Sequence, residues 1–192
     1  DHDTVDLTNL QRQIAHNQSR IGLPKAESVR LSVAAINPDV DLRALVQRAD
    51  ATLLDELVPQ ASVVLDCCDN FKTRHAINAA CVKHGVPLVS GAAIGWDAQI
   101  SVYDTRQADA PCYACIFPPD ATYEDVACAT MGVLAPLVGI VGSVQATEAI
   151  KLLAQTGQPL TGRLQMLDAR SMSWDRITLQ RQAHCLVCGQ RH

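Results

Sequence analysis

The stretch Ser62-Val63-Val64-Leu65-Asp66-Cys67-Cys68-Asp69-Asn70, running on into Phe71 to His84, decides the fold. A short apolar run closed by polar residues is the pattern of a central parallel strand. The segment after it spaces Ile77, Ala80 and Cys81 as the buried positions of a helix. Upstream, Lys25 to Asn37 reads as a helix with Ala26, Val29, Val33 and Ile36 in one stripe and Glu27 and Arg30 outward. Pro24 suits its first turn and Asn37-Pro38 its end. Val40 to Val46 alternates as a strand would, and Ala51 to Val58 reads as a short helix. Downstream, Pro87 to Ser90 is a short strand. Ala98, Ile100 and Val102 alternate with Gln99, Ser101 and Tyr103, as in a half-exposed antiparallel strand. A loop from Asp104 to Thr130, a long buried helix from Val133 to Gln155, and strands near Arg163–Leu167 and Trp174–Leu179 complete the chain. This alternation predicts an α/β fold: a doubly wound, mostly parallel sheet with antiparallel strands added late.

Composition bounds what such a fold can do. The 192 residues are 48% hydrophobic and 19% charged, enough apolar surface for one core, so residues 1–192 are expected to form a single domain. A net charge of −4 argues against nucleic acid or an anionic membrane surface as partner. The longest apolar run, Val133 to Val144, is 12 residues, short for a bilayer span. Eight cysteines with no signal peptide fit a reducing cytoplasm, where paired cysteines read as metal ligands before disulfides.

Those pairs are Cys112/Cys115 and Cys185/Cys188. Two residues between thiolates let one turn present both sulfurs to one metal, and two turns complete a tetrahedral site suited to Zn2+. The 69 intervening residues exceed an ordinary zinc ribbon and point to a clip between a mid-chain loop and the C-terminal tail. Two separate redox dithiols or disulfides are the alternative. Four thiolates leave no open coordination position, so a catalytic zinc is not expected.

Ligands of doubly wound sheets bind beyond the carboxyl ends of the parallel strands, and three polar clusters fall there. The first is Asp1, Asp3, Asn9, Arg12, Gln13 and Lys25. An acid at a strand end suits ribose hydroxyls, and Arg12 with Lys25 suits a polyphosphate. Equally, both cations can be plain solvated surface charges. The second is Asp66-Cys67-Cys68-Asp69-Asn70, with Arg74 a turn on. Asp69 could bind Mg2+ through one carboxylate beside ATP phosphates, or Asp69 or Asn70 could simply cap the helix beginning near Phe71. The third is Cys128, ahead of Gly132 and the long helix: a helix start favours thiolate, while the plain reading is a small semi-buried residue. Cys67, Cys68 and Cys81 read as core.

Taken together, Asp1-x-Asp3-Thr4-Val5, Asn9-Leu10-Gln11-Arg12-Gln13, Pro24-Lys25, Asp66-Cys67-Cys68-Asp69-Asn70, Cys112-x-x-Cys115, Cys128-x-x-x-Gly132 and Cys185-x-x-Cys188-Gly189 resemble, in this order, the ThiF/MoeB/HesA proteins. These are bacterial relatives of ubiquitin-activating enzymes, and the resemblance runs over essentially the whole chain. It implies a Rossmann-like fold and an ATP-dependent adenylyltransferase. Such an enzyme converts the C-terminal Gly-Gly carboxylate of a ubiquitin-like sulfur carrier to an acyl-adenylate, releasing pyrophosphate, in thiamine or molybdopterin biosynthesis. On this resemblance Asp1 matches the ribose-binding acid, Asn9, Arg12 and Gln13 the residues around the phosphates, and Lys25 the phosphate lysine. Asp69 matches the Mg2+-associated aspartate with Asn70 beside it, and the four paired cysteines match the zinc ligands. Cys128 matches a cysteine that forms a persulfide-linked conjugate in thiamine-type members and appears dispensable in molybdopterin-type ones. A sulfurtransferase or cysteine desulfurase as further partner, and a homodimer, are also implied.

Three departures qualify the resemblance. The family's Gly-rich phosphate loop, in its first β-α unit, falls upstream of Asp1. Cys68 stands where the family usually has Thr. Val89 to Ile94 looks molybdopterin-like whereas Asn78 to Val82 looks thiamine-like, which leaves the carrier open. A rival reading is a zinc-stabilised interaction module without ATP chemistry. A NAD-binding reductase would leave Arg12, Lys25 and the paired cysteines unexplained.

Overall fold

The computed structural model describes residues 1–121 and 131–190. The chain divides into two compact units, Asp1–Ala49 and Asp50–His192, taken in turn here.

In the first unit, residues 3–5 pair with residues 22–25. Val5 N–H donates to Leu23 O at 2.8 Å and Gly22 N–H to Val5 O at 2.8 Å, which buries the Val5 side chain. Helix α1 (Lys25–Ile36) follows directly from Pro24. Of the apolar stripe expected from Ala26, Val29, Val33 and Ile36, the first three are only partly buried, and the most covered position lies elsewhere. Ile36 is 86% exposed, whereas Ser28 is fully buried. The reason is polar. Ser28 and Ser32 lie four residues apart on one face, and the 15–20 segment lies against them. Arg20 donates to Ser28 O at 2.8 Å and to Ser32 Oγ at 2.6 Å, Ser32 Oγ donates to Ala15 O at 2.6 Å, and His16 Nδ1 meets Ser28 Oγ at 2.8 Å. Residues 40–46, expected as a strand, have no ladder partner among the described residues and run as irregular chain with Val40 and Val46 exposed. Alternation marks a strand only where a neighbouring strand can take its backbone groups.

The second unit carries a five-stranded sheet in the order β1-β2-β3-β4-β5, formed by Val64–Asp66, Leu88–Ile94, Asp97–Tyr103, Arg163–Asp168 and Ser173–Thr178. β1 and β2 are parallel and the other three pairs antiparallel. The α/β class therefore holds, while the balance of pairing among the described strands is mainly antiparallel. Helix α2 (Ala51–Leu57) is capped by Asp50 and precedes β1. Helix α3 (Phe71–His84) makes the β1–β2 crossover, and its C-terminal Gly85 adopts φ 64°. A four-residue helix, α4 (Tyr113–Ile116), lies in the loop after β3. Helix α5 (Ala135–Ala154) packs on β2 and β3.

The core is the seam between α5 and the sheet: Leu137, Val141 and Ala149 against Val89, Ala98, Ile100, Val102 and Leu167. α5 is long and apolar enough to cross a membrane by length and composition alone. Its packed face, however, buries Gln145 and Glu148, both bonded to the unit itself. Gln145 reaches Asp66 O at 2.8 Å, and Glu148 accepts Leu160 N–H at 2.8 Å. The opposite face is open, with Ile150 and Leu153 exposed, so only one side of the expected buried helix is buried. β2 runs on past the expected Ser90 because Gly91 to Ile94 find partners along β3.

Candidate functional site

β1 ends at Asp66, at the carboxyl edge where such sheets bind ligands. Its side chain is 1% exposed and does not reach solvent. Asp66 Oδ2 instead accepts from Arg74 Nη1 at 2.7 Å and from Ser90 Oγ at 2.9 Å, and Oδ1 accepts from Cys68 N–H at 2.9 Å. Arg74 also donates to Ser90 Oγ and Gly91 O, each at 3.1 Å, and to Cys68 O. From α5, Gln145 Nε2 donates to the main-chain oxygens of Asp66 (2.8 Å) and Val89 (3.3 Å). The helix approaches closely because residue 91 is glycine. A Cβ there would lie 2.5 Å from Gln145 Cδ and 2.7 Å from Val141 Cγ1.

This lattice fixes the turn that leads to Asp69 and Asn70. Asn70 caps α3, its Oδ1 accepting Thr73 N–H at 2.9 Å. The capping alternative is thus fulfilled by Asn70, and Asp69 is exposed, with a 3.5 Å contact from Asn70 Nδ2. An exposed carboxylate with most of its lone pairs open, at the head of a helix, is competent to hold a hard cation. Cys68 behind it is pushed up to about 12 by burial and the Asp66 carboxylate, which keeps it a neutral thiol. Cys81 is buried as expected. Cys67 is exposed rather than core, its Sγ 3.7 Å from Gln145 Oε1, because the strand has already ended at Asp66.

The four paired cysteines converge. Cys112 Sγ lies 3.9 Å from Cys115 Sγ and 3.7 Å from Cys185 Sγ, and Cys115 Sγ lies 3.4 Å from Cys188 Sγ. The four could together hold one metal ion, with three buried and Cys185 partly so. All four are free thiols, against the two-disulfide alternative. The hydrogen bond between Cys112 and Cys115 holds the Cys115 thiol low and, together with burial, pushes Cys112 up. Around the sulfurs, Asn78 Nδ2 approaches Cys112 Sγ at 3.7 Å while its Oδ1 accepts Tyr113 N–H at 2.9 Å, and Gln182 N–H donates to Cys115 Sγ at 3.4 Å. Gly189 after the second pair is required by contact: a Cβ would sit 2.5 Å from Cys185 O. Arg181 secures this knuckle by donating to Cys188 O and Ala108 O, both at 3.0 Å.

In the first unit, Lys25 Nζ pairs with Asp3 Oδ2 at 2.9 Å, and that hydrogen bond holds the Asp3 carboxyl below its ordinary range. Asp1 Oδ1 accepts Asp3 N–H at 2.8 Å. Asn9 forms a reciprocal cap with Asp6, and Arg12, half-buried, donates from Nη1 to Thr8 O at 3.2 Å. Gln13 Oε1 is buried and has no hydrogen-bond partner among the described residues. Asp1, Asp3 and Lys25 are thus joined in one hydrogen-bonded strip, while Asn9 and Arg12 gather on the turn at 7–12. Cys128 lies outside the described residues.

Reading the sequence names Asp66 and Arg74 without a role and misses Ser90, Gln145 and Asn78. The signal for the first pair is weak but real. An Asp closing an apolar strand and an Arg one turn into the next helix are two charges facing the interior, which are seldom buried unless paired.

The ThiF family matches residues 1–187, and the chain belongs to it. The chain is 43% identical over 193 residues to the molybdopterin-synthase adenylyltransferase of Salmonella typhimurium, covering 99% of this chain and 76% of that protein. It is 42% identical over 189 residues to the sulfur carrier protein ThiS adenylyltransferase of Escherichia coli, covering 98% and 74%. The crystal structure of E. coli MccB with ATP matches with a TM-score of 0.82 at 20% identity. That match covers 98% of this chain and 57% of MccB, so the chain spans little more than half of that protein, and the likeness is one of fold.

Proposed function

We propose that the chain is an ATP-dependent adenylyltransferase that activates the C-terminal Gly-Gly carboxylate of a ubiquitin-like sulfur-carrier protein. The observation that carries this is the Asp69 carboxylate, left exposed in the turn between β1 and α3 where Asn70 does the capping, in a ThiF-family chain. Relatives named for molybdopterin synthase and for ThiS stand at 43% and 42% identity, which supports the activity and leaves the choice of carrier to the assay.

In the reaction a carrier carboxylate oxygen attacks the α-phosphorus of ATP. The new O–P bond forms as the bond from that phosphorus to its bridging oxygen breaks, and pyrophosphate leaves with the electron pair. No base is needed, because a carboxylate is ionised at neutral pH. Arg12 and Lys25 offset charge on the phosphates, Asn9 and Gln13 hold the phosphates, and Asp1 accepts from the ribose hydroxyls. Asp69, with Asn70 beside it, would hold Mg2+, and the ion would supply positive charge opposite the departing pyrophosphate. Cys128 is a candidate for later sulfur chemistry with a sulfurtransferase or cysteine desulfurase.

The thiolate cluster suits Zn2+. A Zn–S bond of about 2.3 Å gives tetrahedral S–S edges of about 3.8 Å, beside the observed 3.4, 3.7 and 3.9 Å. The ion would be structural, since four thiolates complete the tetrahedron. The exposed apolar residues Ile150 and Leu153 of α5 favour a homodimer.

Carrier-dependent ATP–pyrophosphate exchange tests the proposal, with thiamine-type and molybdopterin-type Gly-Gly carriers side by side. Exchange with one carrier names the pathway. Absence of exchange with both, from folded protein carrying its metal, rejects the proposal in favour of an interaction module.

A further inference from the structure

Asp66 and Arg74 form a buried ion pair where β1 gives way to the turn before α3. Removing two charges from water costs several kcal/mol per ion, and an apolar pair of similar volume often does as well. What this pair does have is directionality. Each of its groups ends on a different piece of the turn before α3: Asp66 Oδ1 on Cys68 N–H, Arg74 Nη2 on Cys68 O, and Ser90 Oγ and Gly91 O on the β2 side. Both backbone groups of Cys68 are thereby held, and on the other side of Asp69 the Asn70 side chain is fixed as a cap. Asp69 itself takes no part in the lattice and projects from between two anchored neighbours.

We propose that Asp66, Arg74 and Ser90 are positioning residues that set the direction of the Asp69 carboxylate and through it the metal affinity of the nucleotide site. This rests on reading Asp69 as the Mg2+ residue. Groups that orient a metal-binding carboxylate typically control affinity by about 10- to 100-fold. The guanidinium is needed because a lysine at 74 offers one point charge in place of a fork spanning four acceptors.

The test is the affinity of the full chain, with its thiolate-bound metal in place and ATP bound, for Mn2+ as a paramagnetic stand-in for Mg2+, read by electron paramagnetic resonance, together with the Mg2+ concentration giving half-maximal carrier-dependent exchange. Arg74→Lys is expected to weaken Mn2+ binding and to raise that Mg2+ concentration, each about tenfold or more, with the rate recovering at saturating Mg2+ and the KM for carrier unchanged. A lowered rate at every Mg2+ concentration with unchanged half-saturation and Mn2+ affinity overturns the proposal, since a merely structural role gives that result. Should Arg74→Lys fail to fold, Ser90→Ala decides by the same readout: about a threefold shift is expected for one hydrogen bond, and no shift overturns it. Asp69→Ala in the same assay separates the two layers. Wild-type Mg2+ dependence in Asp69→Ala removes the metal reading itself and the proposal with it. Loss of exchange there, beside unshifted Arg74→Lys and Ser90→Ala, removes only the positioning role.

Discussion

Two adjacent residues at the head of α3 look interchangeable on paper and are not. Asn70 spends its side chain on Thr73 N–H, whereas Asp69 stays exposed. Asp69→Ala should therefore abolish exchange while leaving the melting temperature close to wild type. Asn70→Ala should cost about 1 kcal/mol of stability, the usual worth of a cap, read from chemical denaturation. Asp104 makes a third case. Burial alone would raise its pKa, but the Arg106 guanidinium, bonded at 2.7 Å and 2.8 Å, more than offsets that and holds it below its ordinary value. Its stabilisation is therefore fully present above about pH 4, the unfolded carboxyl value, and is lost as pH falls through the lower folded value. Asp104→Asn should be destabilised by about 1 kcal/mol at neutral pH, a modest figure because Arg106 is half in water. The difference from wild type should close in melts run below pH 4.

At the level of elements, the contact between α5 and β2 is the most constrained. Gly91→Ala would drive a methyl into Gln145 and Val141 and should cost roughly 1–3 kcal/mol as an overpacked seam, seen as a lower denaturant midpoint with an unchanged slope. How far each element can be read from residues depends on what covers it. Phe71 to His84 and the strand from Arg163 are legible from their apolar spacing, whereas Val64 to Asp66, expected as a central strand, lies at the edge of the described sheet with Leu65 exposed. The strand from Asp97, expected half exposed, buries Ser101 and Tyr103 as well as Ile100 and Val102 because β2, β4 and α5 cover it. α1 is legible as a helix but not in its orientation, because its packed side is held by Ser28, Ser32 and Arg20 rather than by apolar area. Residues 40–46 carry the alternation of a strand without a neighbour to satisfy it. At the candidate site, Asp69, Asn70 and the cysteine pairs show in local spacing. The support from Ser90 and Gln145 comes from 24 and 79 residues away from Asp66, and no local pattern announces it.

For the molecule as a whole, the second unit is closed on itself by its cysteines. If the cluster holds zinc, metal analysis should return one zinc per chain. Cys112→Ser or prolonged chelation should then lower the melting temperature by many degrees, since structural zinc contributes directly to folding. Exchange activity should fall with the folded fraction rather than at a separate step. The same closure governs how the chain would bear tension. Pulled between Asp50 and the tail, the metal-bound protein would route force from Cys115 across to Cys185, and the backbone of the 69 residues between them, β4, β5 and α5 included, would be loaded only through its contacts with β2 and β3. Stripped of its metal, the same tether would load that backbone directly, and its unfolding would release roughly 240 Å of chain at about 3.5 Å per residue, so that the ion acts as a mechanical fuse for the outer half of the sheet.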